Sequence, residues 1–279
     1  MPELPEVETV KNALSKAVCG AKIINVTVLC NKFREKIPDD FAQKVIGADI
    51  VLCRRIAKYV IINLSNNLSI VWHLGMSGKI KILPRKPATL EKHDHVVIET
   101  NKGCLIYNDP RRFGLLTYCE SANCSSFPAL KNIGPDPFDE NLTPQYLYNQ
   151  FQAHATPIKI VILDQKIICG IGNIYASEAL YAAKILPTCP AKSLALRECT
   201  ALLDAVRNIL SKAIKAGGST IHDYRKPDGS SGEFQNQHCV YNKTGQRCPD
   251  CICDISRTGG IKKIILGGRS AFYCETLQK

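Results

Sequence analysis

The 279-residue chain lacks any apolar run of about 18 residues, so no membrane-spanning helix is expected. It also lacks an N-terminal basic stretch followed by an apolar one, so no signal peptide is expected. Blocks of about five or more like charges are missing, which argues against a polyelectrolyte tail. No internal repeat and no low-complexity tract interrupts the chain, so neither a solenoid nor a disordered arm is indicated. A soluble, intracellular protein is the default expectation.

What is present points to a folded, basic protein. Hydrophobic residues make up 45% of the chain, a fraction typical of globular proteins. Lysine and arginine total 36 against 25 acidic residues, for a net charge of +11 and a pI near 9.0. Such a balance favours polyanionic partners, nucleic acid or an anionic membrane surface. The basic residues are scattered through folded-looking segments, which suits a shaped groove. The 14 cysteines are many for an intracellular chain. Those in apolar runs, such as Cys30, Cys53, Cys104 and Cys169, read as small buried hydrophobes. A secreted disulfide framework is not expected at this length.

Hydrophobic periodicity divides the chain. Val7, Val10, Leu14 and Val18 share one face of an expected helix over residues 7–18. Between about 22 and 118, short runs rich in Ile and Val alternate with turn residues such as Asn66-Asn67 and Lys102-Gly103, predicting a β-sandwich or barrel. A loop-like zone over 119–144 follows. Beyond it the period becomes helical, with a helix predicted from about 174 to 184. A second apolar stripe runs from Leu202 to Ile214 and is closed by Gly217-Gly218. The last 40 residues read as a small hairpin module.

The N-terminus carries the first chemically suggestive pattern. Pro2 is small enough to permit removal of Met1, which would expose a secondary α-amine. Such an amine has a pKa of about 7.7–8.0 and is partly unprotonated near neutrality. It can attack an anomeric carbon and form an iminium. Glu3, Glu6 and Glu8 follow, and a carboxyl beside the amine can deliver a proton to a sugar oxygen. The plain alternative is a proline-containing helix start with acids at the positive helix end.

The wider pattern adds context. MPELPEVETV is followed by Arg55-Ile56-Ala57-Lys58, by His73-Leu74-Gly75-Met76-Ser77-Gly78 and by Lys92-His93-Asp94-His95. Further on come Asp109-Pro110-Arg111-Arg112-Phe113-Gly114, Leu163-Asp164-Gln165, the stretch from Gly170 to Glu178, Gly217-Gly218-Ser219-Thr220 and a terminal Cys-rich module. In this order the motifs resemble those of the bacterial formamidopyrimidine-DNA glycosylases (the Fpg/MutM family), and the resemblance covers the whole chain. It implies a multidomain α+β fold. The expected parts are an N-terminal catalytic β-sandwich domain with an N-terminal helix (1–135), a helix–two-turn–helix DNA-binding domain (136–237) and a C-terminal zinc-finger-like β-hairpin (238–279).

The resemblance also implies roles. Pro2 would be the Schiff-base nucleophile, Glu3 the acid that opens the sugar, and Lys58 an acid/base in β-elimination that also contacts phosphate. Met76, Arg111 and Phe113 would fill the hole left by an extruded base. For Met76 and Phe113 taken alone, core packing is the ordinary alternative. His93 would contact the DNA backbone, while His95 reads as structural. Asn173, at a helix start after a Gly-rich turn, would hold phosphate, though an N-cap role is compatible. Lys159 would lie near the lesion pocket. Residues 217–224 would close over the flipped base, and Arg269 would grip flanking phosphates and aid the second elimination.

The terminal module departs from the family. Cys248, Cys251 and Cys274 stand where a four-cysteine zinc site is expected, but Leu277 replaces the fourth ligand. Zinc bound through Cys253, His238 or Cys239 as substitute, zinc bound with water in the fourth position, and a metal-free hairpin all remain open. The expected function is a bifunctional glycosylase and abasic-site lyase of base excision repair. It would act as a monomer on damaged double-stranded DNA in the bacterial cytoplasm, associated with the nucleoid, and not on membranes. Two rivals are an endonuclease VIII-like enzyme for oxidised pyrimidines and a non-catalytic binder of damaged DNA.

Overall fold

In the computed structural model every residue is described except His222 and Cys253. Helix α1 (Leu4–Val18) starts a turn before the apolar periodicity, because Glu3 and Glu6 form a capping box and Pro5 is tolerated in a first turn. The elements that follow are β1 (Ile23–Val28), α2 (Phe41–Val45), β2 (Ile50–Ile56), β3 (Tyr59–Leu64), β4 (Leu68–His73), β5 (Lys79–Leu83), β6 (Asp94–Thr100), β7 (Gly103–Asn108) and β8 (Leu115–Glu120). They build two antiparallel four-stranded sheets, ordered β1-β6-β7-β5 and β2-β3-β4-β8. Inward residues of both sheets, among them Val26, Ile98, Tyr107, Val60, Ile62 and Trp72, share one core with Val7, Val10, Leu14 and Val18 of α1. A β-sandwich covered by the N-terminal helix results. The second face of the β6–β7 pair is also covered, by Leu83 and Leu90 over Val97, Cys104 and Ile106.

The later chain is helical. It comprises α3 (Pro144–Gln152), α4 (Ile158–Val161), α5 (Asn173–Ala182), α6 (Leu196–Lys215) and α7 (Ile255–Thr258), then the hairpin β9 (Lys262–Leu266) and β10 (Arg269–Tyr273). Thr143 caps α3 by accepting from the Tyr146 N–H at 3.1 Å, and Pro144 occupies its first position. In α6 the buried side chains Cys199, Leu202, Leu203, Val206, Leu210 and Ala213 recur at helical spacing. The Arg207 guanidinium of α6 donates to the carbonyls of Pro137 (2.8 Å), Asp139 (3.1 Å) and Leu142 (2.9 Å) and so orders the preceding loop.

The chain divides into two compact units, residues 1–132 with 214–235 and residues 133–213 with 236–279. Among the described residues no helix is long and apolar enough to cross a membrane. The described cysteines are all free thiols. Cys53, Cys104 and Cys169 are buried as expected, whereas Cys30 is only half-buried, with its sulfur 3.7 Å from the Arg112 guanidinium.

Candidate active site

Pro2 and Glu3 are buried at the head of α1. Met1 precedes them and is 52% exposed, so the Pro2 nitrogen is an amide here and becomes an amine on loss of Met1. The Glu6 carboxylate, 2% exposed, organises this end of the chain. One oxygen accepts from the Glu3 N–H at 2.7 Å and the other from the Ser219 N–H at 2.8 Å. Gly218 makes room for it: a Cβ there would lie 2.7 Å from Glu6 Oε1, and its φ of +81° also favours glycine. The Tyr224 hydroxyl donates to the Gly217 carbonyl at 3.3 Å and lies 3.5 Å from that of Glu6. Burial and then the Glu6 charge push this hydroxyl pKa well up. The head of α1 and the described residues of the 217–224 segment therefore form one hydrogen-bonded assembly.

Lys58 sits in the two-residue turn between β2 and β3, where Ile56 pairs with Tyr59 and Ala57 adopts a φ of +51°. The Arg55 guanidinium donates to Glu8 of α1 at 2.8 Å and to the Ala57 carbonyl at 3.0 Å, so the turn is fixed relative to the helix. Lys58 is buried. Its charge is felt by His73, which the sequence reading named within a motif but gave no role. Burial, then Lys58 and Arg34, lower the His73 pKa to about 4, leaving it neutral. In that state His73 Nδ1 accepts from the Gly75 N–H at 3.0 Å, and its ring lies 4.7 Å from that of Tyr59. The neighbouring glycine-rich turn was its only sequence signal.

Met76 and Phe113 are 40% and 47% exposed, which rules out core packing for both. The Arg111 guanidinium is exposed as well and lies 4.8 Å from the centre of the Phe113 ring. His93 is half-buried, while His95 is buried with its Nε2 3.0 Å from the Asp109 carbonyl oxygen, a structural contact.

In the second unit Asn173 opens α5 after the Gly172 N-cap. Its Oδ1 is shielded from solvent and has no hydrogen-bond partner among the described residues. Lys159 differs from a surface contact: it is 1% exposed, and its ammonium donates to the Asn173 carbonyl at 3.3 Å and to the Ser177 hydroxyl. It supports the first turn of α5 from inside. Glu178, also unforeseen, is 1% exposed and accepts from the N–H groups of Cys239 (2.7 Å), Val240 (3.0 Å) and Tyr241 (2.8 Å), anchoring the start of the terminal module to α5. Arg269 is exposed beyond the Gly267-Gly268 turn, whose φ values of +53° and +73° suit a tight hairpin of the primed type.

Cys248, Cys251 and Cys274 form the one candidate metal cluster among the described residues. Their sulfurs are 3.0, 3.4 and 3.8 Å apart. A tetrahedral zinc with Zn–S bonds of about 2.3 Å spaces its thiolates by about 3.8 Å, so the triad fits such an ion with small adjustments. Burial raises the Cys248 thiol pKa, but contacts with Cys251, the Tyr181 hydroxyl and Cys274 outweigh it and leave the pKa below its ordinary value. His238 and Cys239 do not belong to the cluster, and Cys253 lies outside the described residues. Leu277 packs instead against the apolar cluster of Val240, Ile261 and Phe272. The adjacent Gln278, 1% exposed, accepts from the Cys274 N–H at 2.8 Å and donates to the Ile185 carbonyl at 2.7 Å. A buried amide thus holds the turn that a fourth thiolate would otherwise close.

Residues 1–116 match the model of the formamidopyrimidine-DNA glycosylase N-terminal domain, and residues 133–225 match that of the formamidopyrimidine-DNA glycosylase H2TH domain. The chain belongs to the formamidopyrimidine-DNA glycosylase family. Among curated family members, the chain is 44% identical to the formamidopyrimidine-DNA glycosylase of Zymomonas mobilis, with all of both chains covered. It is 40% identical to that of Rhodospirillum rubrum, again over both full lengths. Among solved structures, Lactococcus lactis Fpg in complex with DNA containing an abasic site superposes with a TM-score of 0.90 at 33% identity, covering 99% of each chain. The Thermus thermophilus MutM (Fpg) protein gives 0.86 at 33% identity, covering 99% of this chain and 98% of that one. The expected α+β multidomain architecture is thus that of the family.

Proposed function

We propose that this protein is a DNA glycosylase of base excision repair that removes oxidised purines, 8-oxoguanine and formamidopyrimidines, and then cleaves the resulting abasic site. The observation that carries this reading is the buried Pro2–Glu3 head of α1, tied through Glu6 to the loop at Ser219. Once Met1 is removed, the Pro2 amine attacks C1′ of the damaged nucleotide. The C1′–N bond breaks, the base leaves with its electron pair, and Glu3 supplies a proton to the ring oxygen as the sugar opens to an iminium. Lys58 accepts a C2′ proton and the 3′-phosphate departs by β-elimination. Arg269 aids the second, δ-elimination, which releases the 5′-phosphate. Water then hydrolyses the iminium and restores the amine.

Met76, Arg111 and Phe113 occupy the gap in the stack, which offsets part of the few kcal/mol needed to unstack a base. His93 and Asn173 hold phosphates, and Lys159 acts through the α5 start. The triad Cys248, Cys251 and Cys274 would hold zinc, which would supply rigidity to the terminal hairpin and no chemistry. In function the chain reads as the three parts 1–135, 136–237 and 238–279. It works as a monomer on double-stranded DNA in the bacterial cytoplasm.

Borohydride trapping tests the reading. Met1-processed protein is expected to form a covalent adduct with a duplex holding 8-oxoguanine opposite cytosine, and faster than with thymine glycol. A preference for thymine glycol points to an oxidised-pyrimidine enzyme. No adduct on either duplex, with binding retained, points to a non-catalytic binder.

A further inference from the structure

Met76 lies on the loop between β4 and β5, whereas Arg111 and Phe113 lie on the loop between β7 and β8. The three side chains are exposed, and apart from the contact of Arg111 with the Phe113 ring they come from separate loops, so the loops themselves must be held in register from beneath. Asp109 is fully buried there. One of its carboxylate oxygens accepts from the Ser77 hydroxyl at 2.6 Å. The other accepts from the Gly114 N–H at 3.0 Å and faces the Tyr107 hydroxyl at 3.4 Å. The Ser77 oxygen in turn accepts from the Arg111 N–H at 3.1 Å.

The loops also touch directly. Gly75 has a φ of +64°, and a Cβ there would lie 2.5 Å from both Gly114 N and Phe113 C. Among the described residues no cationic side chain pairs with Asp109; its partners are hydroxyls and an amide. A polar group this deeply buried is retained only where hydrogen-bond partners are held in place for it.

We propose that Asp109, acting through Ser77, is the positioning residue that joins Met76, Arg111 and Phe113 into one preformed wedge for base eversion. The proposal rests on the function proposed above. A wedge assembled before binding avoids the ordering cost of three separate side chains on two loops. Loosening it is expected to slow eversion by about 10- to 100-fold. The amine chemistry itself does not need the wedge when the target is already unstacked.

The test compares the wild type with Asp109→Asn and Ser77→Ala on two substrates. One is a duplex with 8-oxoguanine opposite cytosine and 2-aminopurine beside the lesion. The other is a single strand with an aldehydic abasic site. Both variants are expected to lose the 2-aminopurine fluorescence rise and to trap adduct on the duplex about 10- to 100-fold more slowly, Ser77→Ala less than Asp109→Asn. Their rates on the single strand are expected to fall less than about threefold. Parallel losses on both substrates, or an unchanged fluorescence rise, overturn the proposal. Should Asp109→Asn not fold, Ser77→Ala carries the same split, since it removes only a hydroxyl. A wild type that traps neither substrate refutes the glycosylase reading instead.

Discussion

Replacing Glu6 with alanine removes an acceptor that serves two buried backbone donors at once, the N–H groups of Glu3 and Ser219. Each buried donor left without a partner costs about 1–3 kcal/mol, so the pair costs about 2–6 kcal/mol. Domains are stable by only about 5–15 kcal/mol in total. At about 2–4 °C per kcal/mol, the melting temperature is expected to fall by at least about 4 °C. Glu6→Gln keeps one acceptor but turns an NH2 group toward one of the two donors, so its loss should fall between those of wild type and alanine. The assay is thermal unfolding monitored by circular dichroism, with borohydride trapping run in parallel at a temperature where all three proteins are folded. Trapping is expected to fall in the same order, because Ser219 loses its tie to the head of α1, where the proposed nucleophile Pro2 lies. A melting temperature within about 2 °C of wild type for Glu6→Ala would refute the reasoning, since the two donors would then have found other partners.

Leu277→Cys is expected to raise the zinc content measured on purified protein and to raise thermal stability, by completing a four-thiolate set with Cys248, Cys251 and Cys274. No change in either shows that Gln278 and the Leu277 packing already do the work of the missing ligand. The acid limb of stability should carry the signature of two histidines. Burial with Lys58 and Arg34 lowers the His73 pKa to about 4, and burial with Lys243 lowers that of His238 to about 4. Between pH 6.5 and 4 the unfolded chain therefore binds more protons at these sites than the folded one. Their stabilising contribution is complete above pH 6.5 and is lost as pH falls toward 4. Melting temperatures recorded from pH 7.5 to 4.5 should decline, and His238→Gln should flatten that decline; an unaltered slope speaks against a buried neutral imidazole.

Much of the fold was legible because periodicity survives in the sequence. The stripe of Val7, Val10, Leu14 and Val18 marks α1, and the runs over β3, β4 and β7 are nearly continuous apolar segments because both of their faces are covered. β2 is faint in the sequence because only Ile50 and Cys53 of it are buried, and Arg54-Arg55 interrupt it before Ile56. α3 escaped because its cap, Thr143-Pro144, is also ordinary loop chemistry. Within the site, the motif residues could be named, but their settings could not. Lys159 turned out to be interior because its ammonium finds Asn173 and Ser177, neither adjacent in sequence. Ser77 and Asp109 are 32 positions apart, and no local pattern announces that one hydroxyl and one carboxylate share a proton-mediated bond. Leu277 is legible as a side chain that cannot ligate a metal, while the hold of Gln278 on the same turn depends on a carbonyl at Ile185, far off in sequence.

The first unit is assembled from two stretches of chain, 1–132 and 214–235, with the second unit's residues 133–213 encoded between them. The Glu6–Ser219 bond spans that insertion. A gene fragment ending near residue 132 therefore encodes the head of α1 without its partner loop, and a fragment beginning at 133 carries that loop off alone. Neither half is available to recombination as a contiguous cassette. A single crossover with a relative anywhere between codons 6 and 219 pairs a glutamate from one parent with a loop from the other. The head of α1 and the segment bonded to it are thus joined in space although they lie 213 positions apart in the chain.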